Sequence, residues 1–248
     1  MDIITSSDNK LVKKLNKLKQ KKYRDEYGEF FVEGYKNVLD SVRARPQSVR
    51  TVILCEKSAF FAPEFDGFET VVFSDALFDR VCETENGQGV MSVHAVPSSA
   101  FPERDVILLD RVRDPGNVGT ILRTALAAGY DVVLDNCADA FSPKVVRSAM
   151  SAVLKCRTAF DIDVEELKRA GYEIICADMG GDNVFEADKP RGRYCIVIGN
   201  EADGISDGIK RASDRILSVP QSGDIESLNA AVAAGVMMYA LKAVTQNN

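Results

Sequence analysis

Val106-Ile-Leu-Leu-Asp110-Arg-Val-Arg-Asp114-Pro-Gly-Asn117-Val-Gly119-Thr-Ile-Leu-Arg123-Thr-Ala-Leu-Ala-Ala128-Gly129 is the stretch on which the architecture turns. Its first four residues form a short apolar run bounded by polar ones, the pattern of a strand covered on both faces. Pro115 and Gly116 then make a turn, Asn117 stands where a helix N-cap is expected, and the helix runs to Ala128 with Gly129 as its stop. The same strand-then-polar arrangement recurs twice. Cys195-Ile-Val-Ile198 leads into Gly199-Asn200-Glu201, and Ile216-Leu-Ser-Val219 leads into Pro220-Gln-Ser-Gly223 and then Glu226-Ser-Leu-Asn229. Ligands of open α/β sheets sit outside the carboxyl ends of the strands, so these three polar segments mark the expected site.

Working outward, 248 residues with 46% hydrophobic content suffice for two small cored domains. Pro97-Ser-Ser-Ala-Phe-Pro102 reads as punctuation between strand-like Val90 to Val96 and the run at Val106, which predicts a first domain over 1–97, a linker over 98–104 and a second domain over 105–248. The first domain alternates expected strands and helices: 29–33, 34–41, 49–55, 71–73, 75–82 and 90–94, with Gly87-Gln88-Gly89 leading into the last strand. No apolar run is long enough for a bilayer and the amino terminus carries no secretory pattern, so a soluble, cytoplasmic protein is expected. The six cysteines are scattered singly without zinc spacing, and the lone histidine, His94, falls in a strand-like stretch; buried thiols and a structural histidine are expected, and no metal centre.

The net charge of −6 hides a basic start: residues 1–24 carry eight lysines and arginines against Asp2 and Asp8. Leu11, Leu15 and Leu18 fall on one helical face, so the segment reads as an amphipathic helix with a basic outer side. By itself that is a solvated surface helix; beside a site for a polyanion it is a phosphate-contacting arm, with Lys13, Lys14, Lys17, Lys21 and Arg24 as candidates.

Taken together, Asp114-Pro-Gly-Asn117 through Arg123, Ile198-Gly199-Asn200-Glu201 through Gly204, and Val219-Pro220 through Ser227-Leu228-Asn229 resemble the three motifs of the SpoU/TrmH-type RNA ribose 2′-O-methyltransferases, a branch of the SPOUT superfamily. The likeness covers about residues 105 to 243, with a weaker one over 1–97 to the substrate-binding domain that often precedes this catalytic domain. It implies a small α/β domain, then a parallel-sheet methyltransferase domain with a carboxyl-terminal trefoil knot, working as a homodimer through the catalytic domain. It implies S-adenosyl-L-methionine as cofactor, held at Gly199, Asn200, Val219 and Leu228, and a catalytic set of Asn117, Arg123, Glu201, Ser227 and Asn229. The resemblance further implies that Arg123 acts on the ribose 2′-hydroxyl; a guanidinium is better suited to stabilising an alkoxide and clamping a phosphate than to serving as a base.

Each residue also has a plainer reading: a helix-surface ion pair for Arg123, a charge favourable to a helix start for Glu201, and the N-cap of the last helix, Leu228 to Val244, for Ser227. The amino-terminal domain resembles those of the rRNA-modifying members of the family, which implies ribosomal RNA as substrate. A transfer RNA enzyme and a catalytically silent RNA-binding module of the same fold are the alternatives. A dinucleotide oxidoreductase lacks its Gly-x-Gly-x-x-Gly turn, and a hydrolase built on Ser227 lacks a nearby histidine. Gln221, where the family commonly has methionine, and Ala230-Ala231, where it commonly has valine-serine, are departures that bear on substrate fit.

Overall fold

The protein is described by a computed structural model covering residues 2–84, 88–223 and 227–242; the expected lead-in at Gly87, Glu226 of the third motif and the expected helix end at Val244 lie outside the described residues. The chain forms two compact units, Met1–Ser98 with Asp139–Lys155, and Ser99–Ala138 with Cys156–Asn248. Among the described residues no helix is long and apolar enough to cross a membrane.

In the first unit, β1 (Ile3–Ile4), α1 (Lys10–Leu18), α2 (Lys21–Tyr27), β2 (Glu29–Glu33), α3 (Tyr35–Ala44), β3 (Val49–Cys55), β4 (Thr70–Phe73), α4 (Asp75–Val81) and β5 (Val90–Ala95) build a mixed sheet in the order β1-β4-β3-β5-β2. The basic start is two helices, not one. Asn9 caps α1 by accepting from the Leu11 N–H at 2.8 Å, and Val12, Leu15 and Leu18 are buried. The apolar stripe then runs out, and α2 restarts at Lys21 so that its inward residue is Arg24. His94 is fully buried between Ser48 Oγ (2.9 Å to Nδ1) and Ser92 Oγ (2.8 Å to Nε2). All six cysteines are free, and four of them are buried.

The second unit continues with β6 (Val106–Asp110), α5 (Pro115–Ala128) and β7 (Asp131–Asp135). Next come α6 (Pro143–Ala149) and α7 (Ala152–Lys155), which gather with the first unit, so 105–248 is not one contiguous body. Arg24 holds Asp139 there, and Phe141 meets the Phe30 ring at 5.0 Å. Then follow β8 (Thr158–Phe160), α8 (Val164–Arg169), β9 (Glu173–Asn183), β10 (Tyr194–Ile198), α9 (Asp207–Ala212), β11 (Arg215–Ser218) and α10 (Ala230–Leu241).

These strands form an all-parallel six-stranded sheet in the order β11-β9-β10-β6-β7-β8. Every residue of β6 and β10 is buried, as their unbroken apolar runs require of a sheet covered on both faces. The chain moves outward from β6 to β8, crosses to β9, and returns in β10 between β9 and β6. The order therefore reverses at the β6/β10 pair, the position where an open α/β sheet leaves a crevice at its carboxyl edge.

Candidate active site

Three loops leave that edge. The first follows β6, where Arg111 takes a left-handed conformation (φ 57°) that few side chains other than glycine adopt without cost. It is held by the buried Asp110, whose Oδ1 accepts from Arg111 Nε at 2.9 Å and whose Oδ2 accepts from the Ser206 N–H at 2.6 Å. Helix α5 begins at Pro115, preset for a first helical turn, and its N-cap is Asp114, which accepts from the Asn117 N–H at 2.8 Å. Asn117 therefore lies inside the first turn and is not the cap, which frees its side chain for other partners. Gly129 ends the helix at φ 79°.

The second loop, after β10, is a tight return in which Asn200 and Gly204 exchange backbone hydrogen bonds of 3.0 Å. Gly199 is required by the protein itself: a Cβ there would lie 2.3 Å from the backbone of Gly204 and Ile205. The side chain of Asn200 donates to the Arg111 carbonyl at 2.8 Å and accepts from the Ala202 and Asp203 N–H groups, binding the first loop to the second.

The third segment reaches α10 through Asn229. Its Oδ1 accepts from the Ala231 and Val232 N–H groups, so Asn229, not Ser227, caps the helix, and the helix starts at Ala230. The side-chain amide of Asn229 also donates to Asn117 Oδ1 at 2.9 Å, and Asn117 Nδ2 donates to Glu201 Oε1 at 2.9 Å. Asn229, Asn117 and Glu201 thus form one directional chain of hydrogen bonds across all three loops.

Glu201 is exposed, and its carboxylate is at the same time engaged by the first loop. It also accepts from the N–H groups of Arg113 and Asp114 at 3.3 Å. Burial works to raise the pKa of its carboxyl, and the hydrogen bonds from Asn117 and these amides outweigh it, holding the pKa below the ordinary glutamate value.

Beside this chain lies a cavity of about 680 Å³, within the range of small-molecule sites. Leu217, Val219, Leu228, Ala233 and Met237 give it an apolar wall, while Asn200, Glu201, Asp203, Ser227 and Asn229 supply polar groups. Gly199, Asn200, Val219 and Leu228 therefore share one cavity with Glu201, Ser227 and Asn229. Arg123 does not line it; it stands exposed on α5 with no hydrogen bond or ion pair among the described residues. Gln221 lines the cavity with a buried Oε1 that has no partner, a polar atom that a bound donor would satisfy. An apolar slot for an aromatic base, flanked by polar groups for a sugar and charged ends, fits an adenosine-bearing molecule such as S-adenosyl-L-methionine.

Asp178, Met179 and Lys210 also line the cavity and are absent from the sequence reading. The signal was present: Ile174-Ile-Cys-Ala177 is a further short apolar run, and Asp178 directly follows it.

In the first unit, Arg24 is a correction. Its side chain is buried, donating to Asp139 Oδ2 (2.5 and 3.0 Å) and to the Leu18 carbonyl (2.7 Å), and so is unavailable to RNA. Lys13, Lys14 and Lys21 pair with Asp8, Glu29 and Asp25. Lys17 donates to Tyr27 Oη at 3.1 Å and lies 5.1 Å from the Tyr23 ring centroid. Tyr23 and Tyr27 stack at 6.2 Å, so this face combines cations with aromatic rings.

Residues 105–239 match the model of the SpoU rRNA Methylase family, and 9–92 match the MRM3-like substrate binding domain. The 23S rRNA (guanosine(2553)-2′-O)-methyltransferase RlmP of Bacillus subtilis is 32% identical, over 98% of this chain and 100% of its own. Among solved structures, an AdoMet-bound rRNA methyltransferase from Sinorhizobium meliloti superposes with a TM-score of 0.85 at 28% identity, covering 97% of each chain. The SpoU methyltransferase AviRb from Streptomyces viridochromogenes, in complex with AdoMet, gives 0.82 at 26% identity, covering 94% of this chain and 97% of its own.

Proposed function

The chain belongs to the SpoU rRNA Methylase family, and on that premise we propose that it transfers a methyl group from S-adenosyl-L-methionine to a ribose 2′-hydroxyl of structured RNA, ribosomal RNA ahead of transfer RNA. The observation that carries this reading is the Asn229–Asn117–Glu201 chain, which joins the three motif loops beside a cavity of cofactor size at the switch point of the sheet. Gly199, Asn200, Val219 and Leu228 hold the cofactor, the glycine by permitting the tight Gly199–Ile205 return and the others by lining it. When bound, S-adenosyl-L-methionine supplies a methyl group on a sulfonium, a leaving group that needs no metal. The protein's share of the work is to orient the ribose and stabilise charge on its oxygen.

Asn117, Glu201 and Asn229 act as positioning residues, since each spends its polar groups on the other loops. Ser227 lines the cavity and is exposed, placing its hydroxyl where substrate or cofactor can meet it. Arg123, a cation without a partner among the described residues, stabilises the developing alkoxide and the adjacent phosphate of the RNA. Lys13, Lys14, Lys17 and Lys21 with the Tyr23–Tyr27 stack contact the RNA backbone and bases, exchanging their internal pairs for phosphates.

The protein works as a homodimer through the catalytic unit, supported by the apolar stripe of Val232 (52% exposed), Val236 and Tyr239 (57% exposed) on α10. A carboxyl-terminal trefoil knot belongs to the same reading, supported by the construction of the cavity from β9, β10, β11 and α10. The site of action is the cytoplasm, where ribosomal RNA of bacterial relatives is found.

The test is transfer of tritium from methyl-labelled cofactor to rRNA, tRNA and ribosomal subunits from a strain lacking the gene. Label in an alkali-resistant dinucleotide of rRNA or its subunits is expected. Label in tRNA alone would favour the transfer RNA alternative, and cofactor binding without transfer to any RNA would favour a silent binding module.

A further inference from the structure

The carboxyl end of β9 does not run straight. It pairs with β10 only through Cys176, and its ladder with β11 jumps from Cys176 opposite Ile216 to Asp182 opposite Leu217. Residues 177–181 therefore bulge out of the sheet between two adjacent partners, the device by which strands re-aim side chains beside a site. Gly181 permits the close return, since a Cβ there would lie 2.5 Å from the Ile216 backbone. The bulge directs Asp178 to the cavity, where its Oδ2 meets Lys210 Nζ of α9 at 2.5 Å. Both side chains keep about a third of their surface exposed (28% and 35%), and Lys210 is the single basic residue among those described that line the cavity. A carboxylate and an ammonium are thus presented side by side in a cavity with an apolar wall.

A zwitterionic α-amino acid carries the complementary pair, and docking it against an ion pair leaves every charge beside an opposite one. We propose that Asp178 and Lys210 read the amino-acid end of S-adenosyl-L-methionine, Lys210 binding its carboxylate and Asp178 its ammonium. This rests on the assignment of the cavity to that cofactor.

The test is calorimetric titration of the full chain with S-adenosyl-L-methionine and with 5′-methylthioadenosine, which keeps the adenosine and the sulfur and lacks the amino-acid end. Wild-type protein is compared with Lys210→Met, Asp178→Asn and the charge-swapped double variant Asp178→Lys/Lys210→Asp, with thermal unfolding as the check on folding. Each single variant is expected to weaken S-adenosyl-L-methionine about ten-fold or more while leaving 5′-methylthioadenosine unchanged. The swapped pair, which restores an ion pair with its order inverted, is expected to recover thermal stability and not affinity. Equal weakening of both ligands, recovery of affinity in the swap, or no weakening at all would overturn the proposal. Failure of wild-type protein to bind either ligand would overturn the assignment of the cavity itself, a separate result.

Discussion

Asn117→Asp changes one atom of the site and should break it. Asn117 Nδ2 lies 2.9 Å from Glu201 Oε1, so the substitution places two carboxylate oxygens where a donor met an acceptor. Two unit charges at that distance repel by about 6 kcal/mol at an effective dielectric of about 20. Glu201 is exposed and screened by solvent, which brings the expected penalty to about 2 to 3 kcal/mol. Asn117→Ala removes two hydrogen bonds and costs a similar amount, about 1 to 3 kcal/mol, so size alone does not separate them.

The pH dependence does. In the wild type the Glu201 pKa is held below its ordinary value, so its contribution is present above that value and is lost as pH falls through the folded pKa. In Asn117→Asp the facing carboxylates raise a folded pKa above the unfolded one, so the penalty is full at neutral pH and lifts as the pair takes up a shared proton. Urea denaturation across about pH 7 to pH 4 is the assay. The gap between Asn117→Asp and wild type should narrow steeply on acidification as the repulsion lifts, and that for Asn117→Ala only by the small part of the Glu201 contribution that Asn117 supplies. Parallel curves for the two variants would refute the view that Asn117 and Glu201 face each other as donor and acceptor.

Arg123→Ala should lower methyl transfer to RNA by about 100-fold or more while cofactor affinity and thermal stability stay near wild type, because the exposed guanidinium holds nothing among the described residues; a parallel loss of cofactor affinity by calorimetry would count against its role on the RNA. Gly199→Ala should destabilise the protein by about 1 to 3 kcal/mol and abolish cofactor binding, since the added carbon would lie 2.3 Å from the Gly204 backbone; denaturant midpoints and titration calorimetry report both. Burial pushes His94 down to about 4, so its contribution to stability is full above the unfolded value of about 6.5 and is lost as pH falls toward 4. The loss should reach about 3 kcal/mol, and His94→Asn should remove that part of the acid dependence of the denaturant midpoint.

Strands, turns and the order of the three motifs are local properties, and the sequence carries them openly. The buried runs at Val106 and Cys195, the Pro115-Gly116 turn and the Gly129 stop are each decided by residues within one turn or strand of themselves. On that basis the sequence alone determined the α/β class and placed the three polar loops at strand ends, while Asp178, Met179 and Lys210 of the cavity wall went unread. Helix starts were less legible where two capping residues compete. Asp114 and Asn229 took the caps expected of Asn117 and Ser227: Asn117 spends its side chain on Glu201 and Asn229, and Asn229 caps α10 through Oδ1 while its amide donates to Asn117.

What only the tertiary structure decided is partnership over long separations. Arg24 reads as a surface cation in a basic run, yet Asp139, more than a hundred residues away, draws it into the core. Glu201 reads as a catalytic carboxylate or a charge at a helix start, yet the Arg113 and Asp114 amides and Asn117 tie it to the first loop. Asp178 and Lys210 carry no sequence pattern that links them, because a bulge in β9 and the path of α9 bring them together. Sequence patterns report which face of an element is apolar. Which polar group meets which is fixed only when the sheet order brings distant strand ends to one edge, where an unpaired charge would cost more than the ordering needed to pair it.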